Sequence, residues 1–222
     1  MQAPIMEPRA NQDLTDQVQW PSEAAREWAI RAIEELRANP RILAVVFFGS
    51  SVRPVSSVGD LDLLVVFEGD EPELTGVPMD VDVRSYSASM VPELIVKGHD
   101  LLGWALRYGV LAYQRHAYWS DLRQEWMPKL PFPSAVVAEQ RAERAGGLLR
   151  KLQAIGDEDA SAEQYLSVLT HRARSFLLRR DVFPISRPEL AGQLRQAGQS
   201  ELAVQLELAM LRTPRAAVAG AD

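Results

Sequence analysis

Two short apolar runs constrain the fold of this 222-residue chain more than any other feature. The first, Ile42–Phe48, is closed by Gly49, and the second, Leu61–Phe67, contains a single charged residue, Asp62. An apolar run of this length bounded by turn residues is typical of a strand that is buried on both faces. A third segment, 77–86, alternates apolar and charged residues, which predicts a strand with one polar face. The sequence therefore predicts a small sheet early in the chain.

Helical periodicity dominates the rest of the chain. An amphipathic helix lies between Pro21 and Pro40, with Ser22 as its N-cap. After about residue 92 no further β-branched run follows, and helices are predicted at roughly 92–110, 112–126, 133–155, 161–180, 187–197 and 199–211. The predicted fold class is α+β, with a small mixed sheet flanked by helices and an all-helical C-terminal domain.

The same pattern predicts how the chain is divided into domains. The first residues are polar and aperiodic, and so are the last. We expect a mobile leader at 1–20, an α/β domain at 21–91, a helical domain at 92–212 and a disordered tail at 213–222.

Composition excludes several classes of site. The chain has no cysteine, so thiolate metal sites, disulfides and cysteine nucleophiles are impossible. Its three histidines are scattered without metal-ligand spacing. With 24 Lys and Arg against 30 Asp and Glu, the net charge of −6 does not suit a general DNA-coating protein. No run approaches the roughly 20 apolar residues of a membrane helix, and no signal peptide is evident, so we expect a cytoplasmic protein without a membrane partner.

The turn after the first strand has the composition of an anion-binding turn. A strand that ends in Gly49-Ser50 and enters a short helix presents backbone N–H groups and a hydroxyl, and glycine lets a phosphate approach the backbone. Gly-Ser also ends many strands as an ordinary turn. The dipeptide alone therefore leaves both interpretations open.

Paired aspartates mark the starts of the second and third strands. Asp60 and Asp62 share one face by the period of two, as do Asp80 and Asp82. A solvated strand end would tolerate such a pair, but Asp is disfavoured in a central strand. A divalent cation accounts for both pairs, because Mg²⁺ binds one or two carboxylates together with substrate phosphates. The sequence thus favours a two-metal site for phosphoryl transfer.

These three elements together resemble a known superfamily. An apolar strand, Gly49-Ser50, nine intervening residues, Asp60-Leu61-Asp62 and a later Val81-Asp82-Val83 resemble the nucleotidyltransferases that include DNA polymerase beta and kanamycin nucleotidyltransferase. Within this superfamily the chain looks most like the minimal nucleotidyltransferases with a helical C-terminal domain. The motifs cover residues 42–86, about a fifth of the chain.

The resemblance implies roles for the carboxylates. Asp60 and Asp62 would ligate two Mg²⁺ ions. Asp82 would be the third carboxylate, which helps to hold the catalytic metal and to activate the attacking hydroxyl. Asp80 is the alternative to Asp82, but Val-Asp-Val-Arg is more similar to the third strand of the family than Met-Asp-Val-Asp is.

It also implies a binding site for the triphosphate. Gly49 and Ser50 would contact the phosphates of a nucleoside triphosphate, and Arg53 would pair with phosphate. Two residues depart from the common pattern, since Pro54 stands where many relatives have glycine and Gly59 where serine is common. Both departures affect the shape of the loop rather than the metal ligands, so they leave substrate specificity open.

The predicted activity is Mg²⁺-dependent transfer of a nucleoside monophosphate from ATP or another triphosphate to an acceptor hydroxyl, with release of pyrophosphate. The acceptor stays open among a small molecule, a protein side chain and a tRNA end, and a homodimer is one of the open assemblies. Arginines near 172–195 are either a solvated helix face or a wall that faces phosphate or RNA. The alternative function is a non-catalytic nucleotide-binding partner of toxin–antitoxin type.

Overall fold

A computed structural model describes residues 14–55 and 58–213 of the chain. These residues form two compact units. The first unit runs to Val91 and includes 105–128, whereas the second contains 92–104 and the chain from Lys129 onward. The chain thus enters the second unit at residue 92, returns to the first at 105 and enters the second again at 129. Of the leader expected at 1–20 and the tail expected at 213–222, residues 1–13 and 214–222 lie outside the described residues.

A four-stranded mixed sheet forms the centre of the first unit. Its strands are β1 (Ile42–Phe48), β2 (Leu61–Phe67), β3 (Val81–Ser87) and β4 (Val110–Gln114), in the spatial order β3-β2-β1-β4. β1 is antiparallel to both β2 and β4, while β3 runs parallel to β2 at one edge. β1 is buried along its whole length and β2 almost so, as their apolar runs predict.

One face of this sheet packs on a helix, α2 (Glu23–Ala38), whose N-cap is Ser22 as predicted. The helix contributes Trp28 and Ile33 to a core that includes Leu61 and Leu63 of β2. Since side chains alternate along a strand, residues between these leucines lie on the opposite face of the sheet. This alternation decides which side of the sheet carries the polar residues.

Residues 14–20, which the sequence assigns to the leader, pack on the first unit instead. They begin with a short helix, α1 (Leu14–Gln17), and Val18 is buried in the core. The Trp20 ring meets the ring of Phe47 edge-on at 5.6 Å. Burial of these apolar side chains explains the order that the aperiodic sequence does not reveal.

The second unit is helical. The remaining helices of the described chain are α3 (Val91–Val96), α4 (Asp100–Tyr108), α5 (Tyr118–Trp126), α6 (Ala135–Ile155), α7 (Glu158–Leu178), α8 (Leu190–Gln196) and α9 (Ser200–Arg212). The core of the unit lies where α7, α8 and α9 pack together, with Leu169 and Leu177 of α7 fully buried against Leu194 of α8 and Leu206 of α9. The predicted fold class is confirmed.

The helix predicted at 92–110 is divided into α3 and α4, and Gly98 lies at the division. Gly98 has a positive φ of 69°, and a Cβ there would lie 2.6 Å from the backbone oxygen of Phe132. No side chain fits this close approach, so the break requires glycine. The next segment differs as well. The sequence predicts a helix from residue 112, but residues 110–114 form the strand β4.

A long connection, residues 68–80, joins β2 to β3 and lets them run parallel. The indole Nε1 of Trp28 donates a hydrogen bond of 3.1 Å to the backbone oxygen of Thr75. Gly76 in the same connection has open space around the position of a Cβ. The hydrogen bond to Trp28 therefore anchors the connection at Thr75, near its middle. The next residue, Gly76, is exposed to solvent.

Candidate functional site

Gly49 and Asp62 come into direct contact at the end of β1. Phe48 pairs with Asp62 across the strands, and Gly49 follows with a positive φ of 77°. A Cβ at Gly49 would lie 1.9 Å from Oδ2 of Asp62 and 2.8 Å from its Cγ. The Asp62 carboxylate thus occupies the space that a side chain at Gly49 would need. The structure brings together the Gly-Ser turn and one of the predicted metal ligands.

Asp62 and Asp82 are direct neighbours in the sheet. The parallel register of β2 and β3 pairs Asp62 with Asp82, and both residues are half-buried. Adjacent strands lie about 4.8 Å apart, and in-register residues of such strands share a face. Because Leu61 and Leu63 enter the core beneath α2, the two aspartates project from the opposite face.

Asp60 and Asp80 precede their strands. Asp60 is exposed and lies one residue before β2, so regular strand alternation does not fix its side chain. The backbone oxygen of Asp80 accepts a hydrogen bond of 2.8 Å from the N–H of Leu61. Asp80 therefore helps to set the register of the strands through its backbone, whereas Asp82 stands directly beside Asp62.

Ser50 and Arg53 belong to the turn that follows β1. A 3-10 helix, Gly49–Val52, forms this turn, and Ser50 is half-buried in it. The neighbouring hydroxyl of Ser51 is fully buried and donates to the backbone oxygen of Phe48 at 3.0 Å. This hydrogen bond ties the turn back to the strand and so stabilises the shape of the turn.

The Arg53 side chain lies over an aromatic ring. Its guanidinium carbon is 5.0 Å from the centroid of the Tyr108 ring, within the range of a cation–π contact. Trp104 and Tyr108 are four residues apart, a spacing that suits either stacking on a nucleobase or packing in a core. Trp104 is buried, at 9% exposure, as expected of a core residue. Tyr108 is thus a partner of Arg53 that the sequence does not reveal.

The donor atoms in this region suit Mg²⁺, but they do not form a complete protein cage. Within 14–55 and 58–213, no group of three or more histidine or acidic residues is arranged to hold a metal ion. Mg²⁺ usually takes one or two carboxylates and completes its shell with water and substrate phosphates. The in-register pair of Asp62 and Asp82 could supply the two carboxylates of such a site. Asp82 is engaged by another partner, since Nη2 of Arg84 lies 2.7 Å from its Oδ2.

The arginines near 172–195, for which the sequence leaves both a solvated face and a phosphate-facing wall open, mostly make contacts within the second unit. Arg179 lies 3.5 Å from a carboxylate oxygen of Glu139, and Arg195 donates two hydrogen bonds to Glu207. Arg172 is exposed. These pairs favour the interpretation of a solvated helix face for Arg179 and Arg195.

The second unit also contains a charged cluster that the sequence does not reveal. Asp100 of α4 forms an ion pair with Arg141 of α6, and His171 of α7 lies within electrostatic range of both. Burial alone would raise the pKa of Asp100, but Arg141, Arg174 and His99 hold it below its ordinary value. Burial, aided by Arg174 and Arg141, lowers the pKa of His171 to about 4. The ring Nδ1 of His171 is buried without a hydrogen-bond partner.

Sequence comparison adds little, because no family model and no curated protein matches the chain. Structure comparison finds a spectinomycin adenyltransferase from Enterococcus faecialis, crystallised with ATP and spectinomycin. It is 14% identical, the match covers 86% of this chain and 89% of that one, and the TM-score is 0.51. A nucleotidyltransferase-like protein from Exiguobacterium sibiricum also matches, at 17% identity over 84% and 72% of the two chains and a TM-score of 0.38.

None of the helices between residues 14 and 213 is both long and apolar enough to cross a bilayer.

The likeness to the adenyltransferase concerns the fold, since the two sequences are only 14% identical. The chain therefore shares its fold with this adenyltransferase, in agreement with the fold that the strand motifs predict.

Proposed function

We propose that the protein is a Mg²⁺-dependent nucleotidyltransferase, which transfers a nucleoside monophosphate from a nucleoside triphosphate to an acceptor hydroxyl and releases pyrophosphate. The observation that carries this proposal is the placement of Asp62. Its carboxylate lies against the Gly49 backbone on one side and beside Asp82 in register on the other. A carboxylate pair next to a glycine turn is what phosphoryl transfer requires, because the turn binds phosphate and the carboxylates bind its cation.

Each residue has a role in this proposal. Gly49 and Ser50 bind the triphosphate, and Arg53 offers it a fixed positive charge. Asp60, Asp62 and Asp82 hold two Mg²⁺ ions, which when bound neutralise the charge of the reacting phosphates.

Asp82 also orients the acceptor hydroxyl and accepts its proton as the hydroxyl oxygen forms a bond to the α-phosphorus. The bond from that phosphorus to the oxygen shared with the β-phosphate breaks, and pyrophosphate leaves with the electron pair.

The proposed reaction needs an acceptor that provides a hydroxyl group. A small molecule, a protein side chain and a tRNA end all provide a suitable hydroxyl. The adenyltransferase of the same fold was crystallised with ATP and spectinomycin, which supports ATP as the donor and a small molecule as the acceptor to be tested first.

The test is pyrophosphate release with Mg²⁺, each of the four ribonucleoside triphosphates and a panel of hydroxyl acceptors. Asp62→Asn should reduce turnover by about a thousandfold, because the interactions of a metal ligand contribute several kcal/mol to transition-state stability. Asp70→Asn is the matched control, since Asp70 is an exposed aspartate of the first unit that pairs with Arg41 at 2.7 Å. Triphosphate binding without turnover for any acceptor would instead support a non-catalytic nucleotide-binding partner.

A further inference from the structure

Asp82, which the proposed function requires as a metal ligand, forms an ion pair with Arg84. Both residues lie on β3, the edge strand, and their spacing of two places them on the same face. Nη2 of Arg84 is 2.7 Å from Oδ2 of Asp82. The side chains are 54% and 43% exposed, so both ends of the pair are accessible to a ligand that arrives from solvent.

In the metal-free protein, the ion pair reduces the repulsion between two neighbouring carboxylates. Asp62 and Asp82 are in register on adjacent strands, so without a cation their carboxylates repel each other. The guanidinium of Arg84 offsets that repulsion. A metal ion that binds the same carboxylate is repelled by the guanidinium beside it, so metal binding and the ion pair oppose each other.

We infer that Arg84 is a positioning residue that holds the Asp82 carboxylate in the metal-free protein and releases it when the cation binds. The inference rests on the proposed function, since it concerns the same carboxylates. Arg84 disfavours free Mg²⁺, which brings only positive charge to the site. A Mg²⁺–triphosphate complex carries net negative charge, so Arg84 attracts that complex instead. The arginine thus makes the site selective for metal that arrives with nucleotide.

The experiment measures binding rather than turnover. Mg²⁺ alone is titrated into the wild-type protein and into Arg84→Gln, and affinity is determined from the rise in melting temperature and by calorimetry. Arg84→Gln should bind free Mg²⁺ about three to ten times more tightly, because one positive charge near a dication has been removed. Arg84→Lys retains the charge and should stay within about twofold of wild type.

A matched control separates this effect from a general change in surface charge. Arg41 pairs with Asp70 at 2.7 Å and is 56% exposed, so the distance and the exposure of the arginine are close to those of the Arg84 pair, although Asp70 is more exposed than Asp82. Arg41→Gln removes the same charge from the same unit away from the carboxylates. It should leave the affinity for free Mg²⁺ unchanged, and a gain equal to that of Arg84→Gln would overturn the inference.

Two further outcomes contradict the inference in distinguishable ways. If the wild type releases pyrophosphate but Arg84→Gln binds free Mg²⁺ equally or more weakly, the role of Arg84 is wrong and the proposed function stands. If neither Mg²⁺ nor its triphosphate complex binds to the wild type or to any variant, the proposed function fails and the inference fails with it.

Discussion

The sheet of the first unit and the helices of the second assemble their charged groups in different ways. Asp62 and Asp82 meet because two strands are in register, so the backbone alone brings them together. Asp100, Arg141 and His171 come from three helices and meet only once those helices have packed. We infer that changes in the first group reduce activity more than stability, while changes in the second reduce mainly stability.

Gly49→Ala tests the first half of that comparison, for which we expect a larger effect than for the second half. The new Cβ would collide with the Asp62 carboxylate, and alanine is strained at a φ of 77°. We expect turnover to fall at least about a hundredfold through displacement of Asp62, with a stability loss of about 1–2 kcal/mol from the strained backbone. Steady-state kinetics and urea denaturation provide the two measurements.

Gly59→Ala is the control for this prediction. Gly59 lies next to Asp60, has no positive φ, and has open space around the position of a Cβ. It should behave like the wild type in both measurements. An active Gly49→Ala variant would show that the contact between the turn and Asp62 is not needed for the reaction.

Asp100→Asn tests the second half of the comparison. The variant removes the charge that Arg141 contacts while it preserves the volume of the side chain. Removing one member of a fully buried pair costs about 3–5 kcal/mol; the side chains here are 32% and 39% exposed, so we expect a loss of about 1–2 kcal/mol. Urea denaturation at pH 7 measures it, and Mg²⁺ affinity should not change.

An exposed ion pair of the same unit provides the control. Glu207 accepts two hydrogen bonds from Arg195 and is 40% exposed. Glu207→Gln should cost less than about 1 kcal/mol, as expected for solvent-exposed pairs. Equal losses for Asp100→Asn and Glu207→Gln would mean that the cluster at Asp100 has no special part in stability.

His171 gives the smallest predicted effect, which is a pH dependence. Its pKa in the folded protein is lowered to about 4 from an ordinary 6.5, so between these values the unfolded chain binds the proton more readily. The stability contribution of neutral His171 is complete above pH 6.5 and is lost as the pH falls toward 4. We expect His171→Leu to flatten the stability curve by about 1 kcal/mol between pH 7 and 5.

The exposed His116 is the control for that titration. Its φ is 50°, a conformation that asparagine tolerates, so His116→Asn should fold normally. Its stability curve should follow that of the wild type over the same pH range. A wild-type slope in His171→Leu would assign the acid sensitivity to other groups.

The strands that carry the candidate site could be predicted because their signals are local. The two apolar runs that form β1 and β2 are buried along nearly their whole length. Asp62 is the one charged residue in the second run. By contrast β4 has no such run and is only half-buried, so its sequence, Val-Leu-Ala-Tyr-Gln, does not separate a strand from a helix. Local periodicity predicts an element well when burial is continuous.

Contacts between distant residues could not be predicted in the same way. Arg141 and Asp100 are 41 residues apart, and Arg53 and Tyr108 are further apart still. Arg84 lies only two residues from Asp82, yet both charges could as readily face solvent separately. Sequence spacing restricts which side chains share a face, but it does not determine which of them pair.

The parallel pairing of β2 with β3 gives the connection 68–80 an unusual freedom. Register is set where the strands meet, so extra length between them does not shift Asp82 relative to Asp62. Gly76 has open space around it, and the Trp28 hydrogen bond at Thr75 separates it from β2. A fluorophore or a short peptide grafted at Gly76 would leave the carboxylate pair in place. A longer segment at this position would likewise leave the register of the two strands, and with it the placement of Asp82 beside Asp62, unchanged.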